Sequence, residues 1–236
     1  MPDPTSWPIT WQGALNARHA LPSLIRSADL SFLTAHGRAE LLAAGISRII
    51  DLRTRAERHT DPAPFAGRPE YLNLPLLPFR DRALNQASAD ARSNADHYRA
   101  HLDRAGNQLA AIFGAMHDAP PGPLLIHCHA GKDRTGLVAA MAHDLCGQPR
   151  EQIAADYAET DRHLEAFFTA QLQRQPTPEK RAELAKFLIS RPEDILAALD
   201  HLNARWGGLP AYLEAFGMSR AEQHHLAARL MTSDPK

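Results

Sequence analysis

Apolar and polar positions follow two rhythms along this chain. Short, nearly unbroken apolar runs stand at 46–52, with Ile46, Ile49, Ile50 and Leu52, at 71–74, and at 124–127. Runs of that length bounded by glycine or proline predict buried strands. Elsewhere apolar residues recur at steps of three and four, the spacing of helix faces packed on a core. That spacing predicts a short helix over 37–44 ending at Gly45. It predicts one long amphipathic helix through Tyr98, Leu102, Ala105, Leu109, Ile112, Phe113 and Met116. A third runs from Thr135 and stops at Gly147, with Pro149 just beyond.

Downstream the pattern is helical throughout. A helix is expected over 150–157, and another from Thr160 carrying Leu164, Phe167, Phe168 and Leu172. The two phenylalanines read either as core or as part of an apolar lid. A turn follows at 173–177, then a helix opened by Pro192 with Ile195, Leu196, Leu199, Leu202 and Trp206 on its inner side. Gly207-Gly208 breaks it, a short helix spans 209–216, and a last one runs from Ser219 through Met231. Strands alternating with helices predict an α/β class: a mainly parallel central sheet, helices on both faces and a helical C-terminal part. Residues 1–25 read as an arm docked through Trp7, Ile9, Trp11 and Leu15, and 26–236 as one domain. Within it, the polar stretch 83–97 reads as an insertion able to cover a site.

Composition narrows the class of function. The formal net charge of the 236 residues is −1, so neither nucleic acid nor an anionic membrane surface is suggested as a partner. Two cysteines argue against a disulfide framework and for a reducing compartment. The first residues are neither basic nor apolar, which points to no signal peptide, no stable membrane insertion and a cytoplasmic setting.

Chemistry concentrates where the third strand meets its helix. Leu124 to His127 is the strand, Cys128 to Arg134 a small loop with a single glycine, and Thr135 opens the helix. Backbone N–H groups left unpaired at a helix start, together with the helix dipole, favour an anion there. The same field favours thiolate over thiol at Cys128, below the free value of about 8.5. Arg134 supplies a planar fork for two phosphate oxygens. Thr135 is placed to donate to the sulfur when it leaves. A nucleophile beneath a cradle for a tetrahedral dianion is a covalent phosphoryl-transfer site. Cys146, inside the helix pattern, reads as a small buried apolar residue. His127 and His129 have no further ligand at useful spacing, so no metal is expected.

The string His127-Cys128-His129-Ala130-Gly131-Lys132-Asp133-Arg134-Thr135-Gly136 resembles the loop of cysteine-dependent protein tyrosine phosphatases. It looks most like the bacterial branch of tyrosine and phosphoinositide phosphatases. Arg26 to Leu30, Gly45 to Arg53, Ala155-Asp156-Tyr157 and the segment from Gly207 to Leu213 agree with that branch, so the resemblance covers roughly 26–230. It implies a cysteinyl-phosphate intermediate, with His129 to Arg134 holding the phosphate and no cofactor required. The chain departs from the branch in its short start, which has only Gly13 to Arg18 in place of a longer glycine-rich segment.

A general acid must protonate the leaving oxygen and then take a proton from water. Two carboxylates compete: Asp133 within the loop, and Asp81 after the 71–74 strand, in the loop 77–81. His127 is expected to orient the loop by hydrogen bonding, and Asp51 with Arg53 to tie strand ends around it. Arg55, Glu57, Arg58 and His59 read as a solvated face. Lys132 adds a second cation, which suits phosphotyrosine protein and also phosphorylated small molecules or lipid headgroups. Two further readings use the same loop differently, a rhodanese-like sulfurtransferase and a phosphate-binding module without turnover.

Overall fold

The computed structural model describes residues 9–77 and 81–232; Trp7 and loop residues 78–80 lie outside the described residues. The chain opens with strands β1 (Arg18–Leu21) and β2 (Leu24–Ser27), then α1 (Ala35–Ala43), β3 (Arg48–Asp51), α2 (Arg55–Thr60) and β4 (Tyr71–Asn73). Helices α3 (Arg82–Asp90), α4 (Asn94–Arg104) and α5 (Gly106–His117) lead into β5 (Leu124–His127) and α6 (Asp133–Leu145). The remainder is helical: α7 (Arg150–Gln173), α8 (Pro178–Leu188), α9 (Pro192–Trp206), α10 (Leu209–Ala215) and α11 (Arg220–Leu230). None of the described helices is long and apolar enough to cross a membrane.

The strands form one sheet in the order β1-β2-β5-β3-β4, antiparallel only between β1 and β2. The sheet has an apolar cluster on each face, which is why its central strands read as unbroken apolar runs. Leu24, Ile50, Leu124 and Ile126 pack into the larger cluster with α5, α6, α9, α10 and α11. Ile25, Ile49 and Leu125 face the smaller one with Trp11, Leu30, Leu41 and Phe65. Each such side chain contributes roughly 1.5–3 kcal/mol by leaving water. Residue 25, the last of the expected arm, lies inside β2, and Trp11 is buried.

Register sets the site. Ser27 and Asp51 both pair with His127, and Asp51 also pairs with Asn73, so four parallel strands end along one line. The loops leaving that edge therefore converge.

Three helical expectations change. The helix predicted from Tyr98 to Met116 is two helices, broken at Ala105 (φ −111°, ψ 27°). A Cβ on Gly106 would stand 2.2 Å from the Phe216 ring, so the chain turns where the end of α10 packs against it. Conversely, 150–157 and the segment from Thr160 are a single helix, α7; it contains neither glycine nor proline to stop it. Helix α8 was not anticipated, because none of its residues is buried and no apolar stripe marks it; Thr177 caps it and Pro178 occupies its first turn.

Candidate active site

The loop after β5 owes its shape to three successive carbonyls held from outside. The Asp29 N–H donates to His129 O at 2.8 Å. Asn16 Nδ2 donates to Ala130 O at 3.2 Å and Gly131 O at 3.0 Å, and Arg26 Nη2 donates to Gly131 O at 2.8 Å. In a planar trans peptide the N–H points opposite its carbonyl. The N–H groups of Ala130, Gly131 and Lys132 therefore face away from those donors, toward the loop interior. The first turn of α6 adds N–H groups without helical partners. Gly131 sits at φ +68°, and a Cβ there would meet Ser27 O at 2.4 Å, so the turn requires glycine.

Arg26 is anchored in turn. It is fully buried and shares Asp156 of α7 with fully buried Arg18. Arg18 also reaches Asp156 O at 2.6 Å, Thr160 Oγ1 at 3.2 Å and Asn16 O at 3.2 Å. Burial would lift the Asp156 carboxyl, but Arg26 and Arg18 hold it well below the usual carboxylate range. Burial, reinforced by the like charge of Arg26, brings Arg18 down to about 10. Gly136 lets α6 approach this cluster, since a Cβ there would lie 3.1 Å from the Tyr157 ring and 3.3 Å from Arg26 Nη2.

A second set of contacts ties the neighbouring loops. Asp51 accepts from Arg53 N, Nε and Nη2 at 2.8–3.2 Å and from Tyr71 Oη at 2.7 Å. Arg53 Nη1 bonds Asp29, whose N–H holds His129 O. His127 is fully buried; its Nδ1 donates to Cys128 O at 3.3 Å, and its Nε2 lies 3.7 Å from Asp51. Burial lowers its pKa, so it is neutral near pH 7. Ligand atoms of Asp29, Asp61 and His129 lie within 4.8 Å of one another, but Asp29 is already committed to Arg53 and the Ser31 N–H.

Arg134 points across the loop mouth to Glu57, donating from Nη1 at 2.8 Å and Nη2 at 2.6 Å. Glu57 is thus not part of a solvated face, as the sequence suggested; it is half-buried and also closes the capping box of α2 with Thr54. Arg55 and His59 are exposed. Burial works against the Glu57 charge, yet the Arg134 fork holds its carboxyl down at about 2. Burial likewise opposes the Arg134 charge, while the Cys128 sulfur and Glu57 keep its pKa above the ordinary value. The pair uses both terminal nitrogens, Nη1 also reaching Leu52 O at 3.4 Å, and Nε has no hydrogen-bond acceptor among the described residues.

Two cavities adjoin at Asp133, Arg134 and Phe187. One of about 190 Å³ is lined by Cys128, His129, Ala130 and Lys132, with Phe168 and Gln171 of α7 opposite. The other, about 420 Å³, lies between α2, α4 and α6, with Leu76, Leu77, His97 and Tyr98 in its wall. Phe167 and Phe168 are half-buried, and Phe167 packs edgewise on Phe32 and beside His129. The stretch 83–97 spans α3 and the start of α4, and Ser88, Asn94 and His97 border the larger cavity.

The two candidate acids stand in different places. Asp133 is open to the cavities, and its Oδ1 accepts from Lys132 Nζ and Tyr98 Oη, both at 2.7 Å. Its surroundings favour the neutral acid, but Lys132 and the Tyr98 hydroxyl hold its carboxyl below the ordinary value. Asp81 caps α3, accepting from the Leu84 N–H at 2.9 Å. Lys132 is 1% exposed and spends its charge on Asp133. The Thr135 hydroxyl is buried and has no hydrogen-bond partner among the described residues. Cys146 is half-buried, and desolvation pushes its thiol up to about 12.

Sequence reasoning missed Asn16, Glu57 and Tyr98 as parts of the site. Only Glu57 left a local trace, as the fourth residue of the Thr54-x-x-Glu57 capping box.

A cysteine and an arginine on one short loop, at the carboxyl edge of a mainly parallel sheet, make an α/β site of a shape suited to a phosphate group. Residues 17–232 match the model of the tyrosine phosphatase family, and the chain belongs to that family. A tyrosine-protein phosphatase of Nostoc commune is 31% identical over 89% of this chain and 76% of its own. The triple specificity protein phosphatase PtpB of Mycobacterium tuberculosis is 29% identical over 88% and 90%. The solved structure of P. aeruginosa TpbA matches over 86% of this chain and 91% of its own at 18% identity and a TM-score of 0.40.

Two outcomes follow from these contacts. Asp156→Ala leaves two buried guanidiniums without their carboxylate and should cost about 3–5 kcal/mol in urea unfolding; a loss below 1 kcal/mol would show that the cluster does not hold the fold. Glu57 has a depressed carboxyl pKa, so its contribution is complete above the unfolded value near 4.5 and is lost as pH falls toward about 2. Glu57→Gln should therefore flatten the acid limb of stability by roughly 1–2 kcal/mol, allowing for solvent screening, in unfolding followed from pH 6 to pH 2.

Proposed function

We propose that this tyrosine phosphatase works through a cysteinyl-phosphate intermediate, with phosphotyrosine protein as its substrate class. The observation that carries the reading is the outward-held carbonyls of His129, Ala130 and Gly131, which turn a ring of N–H groups toward the Cys128 cavity. In the first step the Cys128 thiolate forms the S–P bond as the P–O bond to the tyrosyl oxygen breaks. Arg134 and the loop N–H groups take the three non-bridging oxygens, over which charge is spread in the transition state.

Asp133 is our choice for the proton to the leaving oxygen, because it borders the cavities that Cys128 and Arg134 line, whereas Asp81 is engaged as a helix cap. An approaching phosphate dianion is a like charge and lifts the carboxyl toward its protonated form. In the second step water attacks phosphorus and passes its proton to Asp133, and the S–P bond breaks. The buried Thr135 hydroxyl suits donation to the departing sulfur. The larger cavity, with Leu76, Leu77 and Phe187 in its wall, suits an aromatic leaving group.

Phosphoinositides are the second substrate class to be compared, because the cation Lys132 lines the cavity. Because that ammonium is paired with Asp133, its effect on a second phosphate should be small. Turnover of a phosphotyrosine peptide and a soluble phosphoinositide by Lys132→Ala tests this. We expect equal losses on both; a loss at least tenfold greater on the phosphoinositide would assign Lys132 to a second phosphate. Cys128→Ser should abolish turnover of the peptide while still binding phosphate or vanadate in calorimetry. Wild-type turnover in that variant would refute the nucleophile, and binding of anion without turnover by the wild type would favour the non-catalytic reading.

A further inference from the structure

A relay of hydroxyls runs from the core to the carboxylate that borders both cavities. Tyr98, on α4, is 2% exposed, and its hydroxyl donates to Asp133 Oδ1 at 2.7 Å. The same hydroxyl meets that of Tyr157 on α7, which is 1% exposed. A phenol has one proton to give. With the Tyr98 proton committed to Asp133, Tyr157 must be the donor between the two tyrosines. The order is therefore Tyr157 O–H to Tyr98 O–H to Asp133 Oδ1, with Lys132 Nζ donating to the same oxygen. Desolvation keeps both phenols protonated by raising their pKa, and the rings brace each other edge to face at 6.0 Å.

We propose that Tyr98 is a positioning residue for catalysis, which with Lys132 fixes Asp133 Oδ1 and so leaves Oδ2 to exchange the proton with the leaving oxygen and then with water. The inference rests on the reading of Asp133 as the proton-transfer group. Asp133 begins α6 and is exposed to the cavities, so its own backbone does not select one rotamer; a carboxylate fixed through one oxygen by two donors has a defined direction for the other. Tyr98 comes from a different element and holds this direction against α6. Tyr157 makes the arrangement one-way, because a Tyr98 hydroxyl that already accepts a proton is steered to donate to Asp133.

The hydrogen bond also acts on acidity. A donor to the ionised carboxylate favours that form, so its removal raises the Asp133 pKa. The other groups facing Asp133 are Lys132 and Arg134 from its own segment, His97 and His101 from α4, and Tyr157 from α7; Asp194 of α9 acts on Lys132 and Tyr157. Deleting the Tyr98 hydroxyl removes none of these groups, although it takes from Tyr157 the acceptor of its hydrogen bond.

The test is the pH dependence of kcat/KM on phenyl phosphate, a poor leaving group, for wild type, Tyr98→Phe, Asp133→Asn and the double variant. Asp133→Asn should lose the basic limb. Tyr98→Phe should keep it but move it upward by about one pH unit, with a roughly tenfold fall in kcat on phenyl phosphate and a smaller one on p-nitrophenyl phosphate. In the Asp133→Asn background, Tyr98→Phe should change neither. An unmoved basic limb in Tyr98→Phe, or additive losses in the double variant, would overturn the positioning role while leaving Asp133 in place. A basic limb retained by Asp133→Asn would instead overturn the parent reading, and the inference with it. Should Tyr98→Phe fail to fold, Tyr157→Phe carries the same test, expected to move the limb in the same direction by less; no movement would overturn the relay.

Discussion

The structure turns on the outward pull on three consecutive carbonyls. A loop of this length would ordinarily satisfy its backbone with its own turn hydrogen bonds, and its N–H groups would then be spent. Here the acceptors are taken by donors from elsewhere: the Asp29 N–H, Asn16 and Arg26. The N–H groups that remain face inward. Such a ring is electrostatically costly when empty, since neighbouring N–H dipoles repel, so it must be imposed by the surrounding fold. In the proposed reaction, this imposed geometry is what an incoming tetrahedral anion would meet without reorganisation.

That requirement explains the buried charge beneath the loop. Arg18 and Arg26 are both fully buried and share one carboxylate, a net positive arrangement that hydrophobic residues would replace at little loss of stability. Its value lies in direction. Arg26 spans from Asp156 to Gly131 O, so the position of α7 is transmitted to the loop through a rigid guanidinium. Arg18 and Asn16 do the same from the hairpin side. The helical tail and the first strands are therefore parts of the support of the cysteine loop, although neither enters the Cys128 cavity through these residues.

What could be read from the sequence follows the range of the interactions. The strand, loop and helix from Leu124 to Leu145 are local, and there the apolar run, Gly131 and the helix start were visible together. Parallel order followed from alternation of strands and helices. The contacts of Asn16 with Gly131, Glu57 with Arg134 and Tyr98 with Asp133 join residues far apart in the chain, and periodicity carries no sign of them. Tyr98 was also disguised: it sits at a core position of a helical stripe, and only its hydroxyl leaves the core. The helix errors have the same origin. Ala105 ends α4 because Phe216, remote in sequence, occupies the space beside Gly106. The long α7 is continuous because Asp156 and Thr160 are drawn to Arg18 on one helical face.

Arg134 shows how the two halves of the site are balanced. Its guanidinium cannot serve the anion with every N–H, because Glu57 takes both terminal nitrogens. An arginine free of such a partner would sample many rotamers and lose entropy on gripping phosphate. Held by Glu57 and by Leu52 O, it presents Nε–H and the second Nη2 proton in a fixed plane. The carboxylate is also a negative charge near the arriving dianion, which weakens binding of the ground state. In the proposed reaction, orientation offsets that repulsion where the fixed plane matches the equatorial oxygens of the transition state better than those of the ground state. Glu57 thus converts a general cation into a directional one, and its own position depends on Thr54, which starts α2 directly after the Asp51–Arg53 strand end. The sheet edge orients the arginine through two short steps, and the same edge carries the cysteine.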